Sequence, residues 1–162
     1  MENTASGAKY FSSRNIVLIP LAIAINMTIG QLVSLVKLPI FLDSIGTVTA
    51  ALLGGPIIGA ITGLLTNLIW GLINNPVAAS FAPVALVIGL SAGLCAKYGL
   101  FRSWWKVLLS GLIISLAESI TAVPIRLYLF GGVTGSGADF LTAYLLALGK
   151  DLTGSVIVTV IT

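Results

Sequence analysis

Three ionisable side chains lie inside stretches that are otherwise apolar. Glu118 lies in the middle of one such stretch, and Lys150 and Asp151 lie in the middle of the next. If both stretches are helices rising about 1.5 Å per residue, all three groups fall near the middle of a bilayer or slightly outward. An ionised group at that depth is costly unless it is paired or hydrated. The sequence therefore predicts either a structural ion pair between Glu118 and Lys150 or a water-filled cavity where these groups contact a polar ligand.

Neighbouring side chains favour the cavity. Tyr144 and Asp151 are seven residues apart and share one face of a predicted helix, while Arg126 follows Glu118 on the preceding helix. Aromatic rings combined with a few polar groups are typical of small-molecule pockets. We therefore expect these residues to line a pocket that opens outward.

A second polar set lies on an earlier apolar stretch. Asn67, Trp70 and Asn74 follow the spacing i, i+3, i+7, so on a helix they point one way, toward its outer end. Asp43 reaches the same level from the stretch before. In the alternative interpretation Trp70 is an interfacial anchor and the asparagines bond helices together. The predicted substrate-binding residues are Asp43, Asn67, Trp70, Asn74, Glu118, Arg126, Tyr144, Lys150 and Asp151.

Neither catalysis nor metal binding is indicated. The chain has no histidine and a single cysteine, Cys95, so an internal disulfide is excluded and the commonest metal ligand is missing. A nucleophile elbow, a phosphate-binding loop and metal-ligand spacing are also absent from the sequence. The net charge is only +3 and no basic run interleaves with aromatic residues. We therefore predict no enzyme activity, no cofactor and no nucleic-acid partner.

The composition indicates an integral membrane protein. Hydrophobic residues make up 57% of the chain and charged residues only 8%, against about 25% charged in soluble proteins. One bilayer crossing needs about 20 apolar residues. We predict an all-α protein with a polar tail over residues 1–13 and one six-helix transmembrane domain over residues 14–162. The predicted helices span about 15–36, 43–54, 56–73, 81–96, 105–130 and 139 to the end.

The basic residues predict the orientation. Among the predicted connections only Lys37 falls on one side of the membrane, and five lysines and arginines fall on the other. By the positive-inside rule this places both termini in the cytoplasm. Trp104 and Trp105, in the most basic connection, are expected to be interfacial anchors. The five basic residues are Lys9, Arg14, Lys97, Arg102 and Lys106.

Glycines recur every fourth residue around a Gly-Gly-Pro turn. In lipid the backbone must satisfy its own hydrogen bonds, so helix is enforced, and small residues four apart let two helices approach closely. We therefore predict a hairpin of the second and third helices and close packing with the fourth. The predicted helix-packing residues are Gly55, Gly59, Gly63, Gly89 and Gly93.

The stretch from Asp43 to Asn75 contains LLGGPIIGAITGLLTNLI. It resembles the small–Gly-Pro–x–x–Gly–x–x–x–Gly signature of the S components, the membrane-embedded substrate-binding subunits of energy-coupling factor (ECF) vitamin transporters. The predicted six-helix layout, cytoplasmic termini and small size extend that resemblance over the whole chain.

The resemblance implies a bacterial plasma-membrane protein that captures a water-soluble vitamin or related micronutrient at the external face. It also implies docking on a transmembrane coupling subunit that two ATPases drive. Such proteins dock through small residues on the first helix, which here selects Ala22, Ala24 and Thr28.

Two other functions remain open from the sequence. One is a structural or assembly membrane protein whose polar residues only bond helices together. The other is a small ion-coupled carrier that uses Glu118, Lys150 and Asp151 as a relay.

Overall fold

A computed structural model of the chain describes residues 12–36, 44–134 and 138–161. Every regular element within these ranges is an α-helix, which confirms the all-α fold class for this part of the chain. Asp43 and residues 1–11 of the predicted tail lie outside the described ranges. The helices are α1 (Ser13–Val36), α2 (Ile45–Gly54), α3 (Pro56–Ile73), α4 (Pro76–Ser80), α5 (Ala82–Lys97), α6 (Trp104–Phe130), α7 (Ala138–Ala147) and α8 (Leu152–Ile161).

Three of these helices, α1, α3 and α6, are long and apolar enough to cross a membrane. The apolar helices α2 and α5 are shorter. Many large aliphatic side chains are exposed on α6, including Leu112, Leu116 and Ile120. Exposed apolar surface on this scale marks an interaction with another protein or with lipid. The helices are therefore compatible with an integral membrane protein.

The first five predicted helices agree with the observed bounds to within two residues. The turn predicted at Asn74-Asn75-Pro76 contains in addition the short helix α4. Asn75 caps this helix, because its Oδ1 accepts a hydrogen bond of 3.1 Å from the backbone nitrogen of Val77. Pro76 follows at the first helical position, where a missing N–H costs nothing.

The prediction of one continuous sixth helix is wrong. The backbone nitrogen of Lys150 donates to the carbonyl oxygen of Leu145 at 3.2 Å, and Gly149 has a φ of +81°. This is the glycine-dependent Schellman ending of a helix. Asp151 then caps α8, since its Oδ2 accepts from the backbone nitrogen of Gly154 at 2.9 Å. Lys150 and Asp151 therefore lie in a turn between α7 and α8 instead of in the middle of a helix.

Helices α3 and α5 pack antiparallel at backbone contact. A Cβ atom on Gly59 would lie 2.8 Å from the carbonyl oxygen of Gly89, so neither position has room for a side chain. Gly55 is different: its φ is +91° and no described atom lies within 4 Å of a Cβ placed there. Glycine is needed at Gly55 for the backbone conformation between α2 and α3. The glycines at close approach are Gly59, Gly63, Gly89 and Gly93.

Five helices meet at one end of the bundle, which we call the upper end. Helices α1, α3 and α6 end there, and helices α2 and α5 begin there. A hydrogen bond of 2.7 Å from Asn74 Nδ2 to Gln31 Oε1 joins the end of α3 to α1. The rings of Phe81 and Phe130 stack with centroids 5.8 Å apart, which joins the start of α5 to the end of α6. The opposite end, where α5 ends and α6 begins, is the lower end.

Helix α8 also begins at the upper end. A Cβ atom on Gly132, just after α6, would lie 2.9 Å from Leu152 Cδ1 at the start of α8. Further along α8, Val160 packs against Val84 and Ala122 inside the bundle. The turn that holds Lys150 and Asp151 is therefore near the upper end.

Candidate functional site

A charged cluster at the upper end is centred on Arg126, whose side chain is only 2% exposed. Its Nη2 lies 2.5 Å from Asp139 Oδ1 and donates to Thr142 Oγ1 at 3.4 Å, and its Nε donates to the carbonyl oxygen of Gly132 at 3.1 Å. Asp139 also accepts from the backbone nitrogen of Thr134 at 3.0 Å. A buried cation is tolerated when it is paired and hydrogen-bonded in this way.

The guanidinium of Arg126 has donors to spare. Its hydrogen bonds to described residues use Nε and Nη2, which leaves both N–H groups of Nη1 without an acceptor among those residues. Within the same residues, every fully buried side-chain nitrogen or oxygen has a partner. A guanidinium offers five N–H groups in a planar fork that suits carboxylate, phosphate or carbonyl oxygens.

Hydroxyl groups connect this cluster to α8. Thr142 Oγ1 donates to Thr159 Oγ1 at 2.9 Å, and Thr159 Oγ1 donates in turn to the carbonyl oxygen of Ser155 at 2.8 Å. Ser155 Oγ donates to the carbonyl oxygen of Asp151 at 2.9 Å. The chain of bonds runs from the buried cation to the turn that holds Lys150 and Asp151, whose own side chains are exposed.

An aromatic stack connects the cluster to α3. Asn67 Nδ2 donates to the carbonyl oxygen of Phe81 at 3.0 Å, and the ring of Phe81 stacks on Phe130. Phe130 follows Arg126 by one helical turn. Two of the predicted residues are thus close in sequence or by a bond to this pair of rings: Asn67 bonds to the backbone of Phe81, and Arg126 lies one turn before Phe130.

Other predicted site residues have different surroundings. Asn74 is exposed and bonded to Gln31, and Trp70 is partly buried one turn earlier on α3. Tyr144 is exposed on α7, and Glu118 is partly buried two turns before Arg126.

Asp139, Thr142 and Phe130 were not among the site residues predicted from the sequence, whereas Phe81 ends the range 74–81 that the resemblance implies for the pocket. Asp139 carried a signal, since it is an acidic residue in the first turn of a helix that follows a glycine-rich connection. The stacking of the two rings carried none, because it depends on how α5 and α6 pack.

The predicted docking residues on α1 divide between two faces. Ala22 is buried in a cluster with Ala50 and Ile58, so the bundle already covers it. Ala24 and Thr28 are exposed on the outer face of α1, and Thr28 Oγ1 donates to the carbonyl oxygen of Ala24 at 2.8 Å. The outer face therefore presents two of the three residues.

Asn26 joins three helices inside the bundle. Its side chain is fully buried, and Nδ2 donates to Thr47 Oγ1 at 2.8 Å on α2 and to Thr66 Oγ1 at 3.1 Å on α3. Its Oδ1 accepts from the backbone nitrogen of Gly46 at 2.7 Å. With these bonds Asn26 is satisfied by protein groups, which assigns it to helix packing.

An apolar groove of about 320 Å³ lies between α6 and α8. The side chains that line it include one hydroxyl, that of Ser119, which donates to the carbonyl oxygen of Ser115. The groove therefore offers a polar molecule few partners. Its lining residues are Leu116, Ser119, Ile120, Val123, Pro124 and Ile157.

Comparison of the chain with protein-family models, with curated proteins and with solved structures gives no match. The described residues hold no group of three or more His, Cys, Asp and Glu side chains placed to bind a metal ion. At the upper end the described residues that can take part in hydrogen bonding and charge pairing include Arg126, which pairs with Asp139.

Proposed function

We propose that this chain is the substrate-binding subunit of an ECF-type importer, which captures a water-soluble vitamin or related micronutrient with high affinity. The observation that carries the proposal is the buried guanidinium of Arg126, whose Nη1 forms no hydrogen bond with a described residue and which lies one helical turn before the stacked ring of Phe130. A fixed cation beside aromatic rings suits a ring compound that bears carboxylate, phosphate or carbonyl oxygens. The upper end is then the external face.

The distribution of charge supports this orientation. The cations at the lower end of the described chain are Arg14, Lys97, Arg102 and Lys106, and a cytoplasmic face carries such an excess. In the proposal α1, α2, α3, α5, α6 and the broken segment α7–α8 cross a prokaryotic plasma membrane, and both termini are cytoplasmic. The chain hydrolyses nothing itself, since two partner ATPases supply the energy through a transmembrane coupling subunit. The exposed Ala24 and Thr28 on α1 are the docking residues.

In this mechanism Asp139 and Gly132 hold the guanidinium in place, so its free edge is oriented before the ligand arrives. Such preorganisation lowers the ordering cost of binding. Asn67 and Asn74 offer amide groups at the same end. The exposed Lys150 steers anionic molecules toward the upper end.

The test is a thermal-shift and calorimetric panel of water-soluble vitamins against the purified chain. We expect one compound to bind and raise the melting temperature by several degrees, and we expect Arg126→Gln to abolish this shift. The control Arg102→Gln removes an exposed cation at the lower end and should leave it unchanged. If Arg126→Gln does not fold, Asn67→Ala is the substitute variant. A complete lack of binding across the panel, with no ATPase copurifying, contradicts the proposal.

A structural role is the second candidate, and one observation favours it. Every fully buried polar side chain in the described ranges is hydrogen-bonded within the protein, Asn26 and Arg126 among them. Such bonds are enough to explain polar residues in membrane helices. If this role is the correct one, replacing the ion pair by Arg126→Met with Asp139→Leu gives a folded protein, and the same vitamin panel shifts neither form.

A further inference from the structure

The lower end carries a cationic and aromatic surface that vitamin capture does not use. It covers the end of α5, the connection that follows and the start of α6. Three basic side chains there are exposed, and the rings of Tyr98, Trp104 and Trp105 are 77%, 73% and 76% exposed. We call this surface the lower patch; it consists of Lys97, Tyr98, Arg102, Trp104, Trp105 and Lys106.

Nothing in the described ranges neutralises the charge of the lower patch. Asp139 and Asp151 lie near the upper end, and Glu118 lies about four turns into α6. The other cation at the lower end, Arg14, donates to the carbonyl oxygen of Leu53 and adds to the positive charge. Among the described residues the two ends of the bundle therefore differ in charge, because the acids that the structure describes lie in its middle and upper parts.

Helix stability explains only one of the three cations. Lys97 lies in the last turn of α5, where the helix dipole favours a positive charge. Lys106 lies in the first turn of α6, where the dipole disfavours one. Neither Lys106 nor Arg102 forms a salt bridge with a described residue. The charges of Arg102 and Lys106 are therefore not neutralised by a salt bridge within the described residues and can interact with a partner outside the chain.

The length of α6 brings the lower patch to the level of lipid phosphates. The 27 residues of α6 extend about 40 Å, whereas the hydrocarbon core of a bilayer is about 30 Å thick. With this excess length the start of α6, which carries Trp104, Trp105 and Lys106, can extend into the headgroup region. Exposed tryptophans are typical of that depth.

The connection between α5 and α6 begins with an ordered turn. Gly99 has a φ of +72°, and the backbone nitrogen of Leu100 donates to the carbonyl oxygen of Cys95 at 2.9 Å, so α5 ends in a Schellman motif. Lys97 and Arg102 are thus attached to an ordered turn, and their positions relative to α6 are set before a partner binds.

We propose that the lower patch binds the phosphate groups of anionic phospholipids in the adjoining leaflet, in preference to zwitterionic lipids. Positive charge without counter-ions, at headgroup depth and flanked by interfacial rings, is complementary to that class of lipid. This binding does not depend on the vitamin-capture proposal, because none of its residues lies at the upper end.

Tryptophan quenching tests the proposal. The chain has three tryptophans, so Trp70→Phe leaves Trp104 and Trp105 as the only reporters. The protein is reconstituted into vesicles in which either phosphatidylglycerol or phosphatidylcholine carries brominated chains, at the same mole fractions. We expect brominated phosphatidylglycerol to quench the tryptophan fluorescence more strongly than brominated phosphatidylcholine does. The difference should correspond to a preference for phosphatidylglycerol over phosphatidylcholine of about threefold or more. The pair Arg102→Gln and Lys106→Gln should bring the preference close to one, and the upper-end control Lys150→Gln should leave it unchanged.

Equal quenching by the two lipids overturns the proposal, and so does a preference that survives the Arg102→Gln, Lys106→Gln pair. Inorganic phosphate should weaken the preference no more than sodium chloride of the same ionic strength; a stronger effect would assign the patch to free phosphate and overturn the lipid assignment. If Trp70→Phe does not fold, native mass spectrometry of the unaltered chain gives a second measurement. It should retain more phosphatidylglycerol than the Arg102→Gln, Lys106→Gln form, and equal retention contradicts the proposal.

Discussion

Arg126, about one turn before the end of α6, and Asp139, in the first turn of α7, form an ion pair with Nη2 and Oδ1 2.5 Å apart. The pair does more than neutralise two charges. Arg126 also holds the carbonyl oxygen of Gly132, and Asp139 holds the backbone of Thr134, so the pair ties the connection after α6 to the bundle. We therefore expect the stability of the upper end to depend on this pair, and in the proposed function ligand binding depends on it as well.

Removing one member of this pair should destabilise the protein. Asp139→Asn leaves the Arg126 cation buried without its counter-ion, which costs about 3 kcal/mol in the free energy of unfolding. The melting temperature in detergent measures the effect. The exposed carboxylate of Asp151 provides the control, because Asp151→Asn removes the same charge and keeps an oxygen for the cap. Equal melting temperatures for the two variants would contradict a structural role for the pair.

Backbone contact between α3 and α5 should make Gly59→Ala destabilising. The added methyl group would meet Ala51 and the backbone of Gly89, and such overpacking costs about 1–3 kcal/mol. Gly111→Ala is a matched control, since no described atom lies within 4 Å of a Cβ at that position on α6. Gly111→Ala should be neutral or slightly stabilising, because alanine is the better helix former. Unfolding in denaturant compares the two, and a neutral Gly59→Ala would show that α3 and α5 are farther apart.

The Asn26 side chain should matter more to stability than that of Asn74. Asn26→Ala leaves the amide of Gly46 and the hydroxyl of Thr47 without a partner inside the bundle, at a cost of about 1–3 kcal/mol. Asn74→Ala breaks an exposed bond to Gln31 and should change stability by about 0.5 kcal/mol or less. Melting temperatures of the two variants give the comparison. A larger loss for Asn74→Ala would reverse the assignment of the two asparagines.

The break between α7 and α8 should depend on Gly149 and Asp151. Gly149→Ala forces a side chain into a φ of +81°, at a cost of about 1–2 kcal/mol. Asp151→Ala removes a helix cap, which costs about 1 kcal/mol. Both variants should speed hydrogen exchange at the first amides of α8, measured by mass spectrometry. Lys150→Ala, between the two positions, should not; unchanged exchange in all three would indicate that α7 and α8 form one helix.

The membrane character of the chain and the bounds of its first five helices followed from the sequence. Hydropathy, proline and glycine act locally, and in an apolar segment the backbone has helix as its main way to satisfy its own hydrogen bonds. The sequence also contained a local signal for the break after α7. Gly149 favours the end of a helix, and Asp151 favours the start of the next one. The apolar residues on both sides outweighed that signal in the sequence analysis, so the sixth helix was predicted as continuous.

The partners of the charged groups were decided only by the tertiary structure. From the sequence, Glu118 and Lys150 were equally deep and open to pairing, whereas the folded chain pairs Arg126 with Asp139 and leaves Lys150 exposed. The depth of a residue in the membrane depends on where its helix begins and ends. Because a turn separates α7 from α8, Lys150 is exposed in that turn instead of lying in the middle of a helix. The composition therefore indicated that the apolar helices lie in a membrane, and the packing of α6, α7 and α8 determined which of the charged side chains are buried.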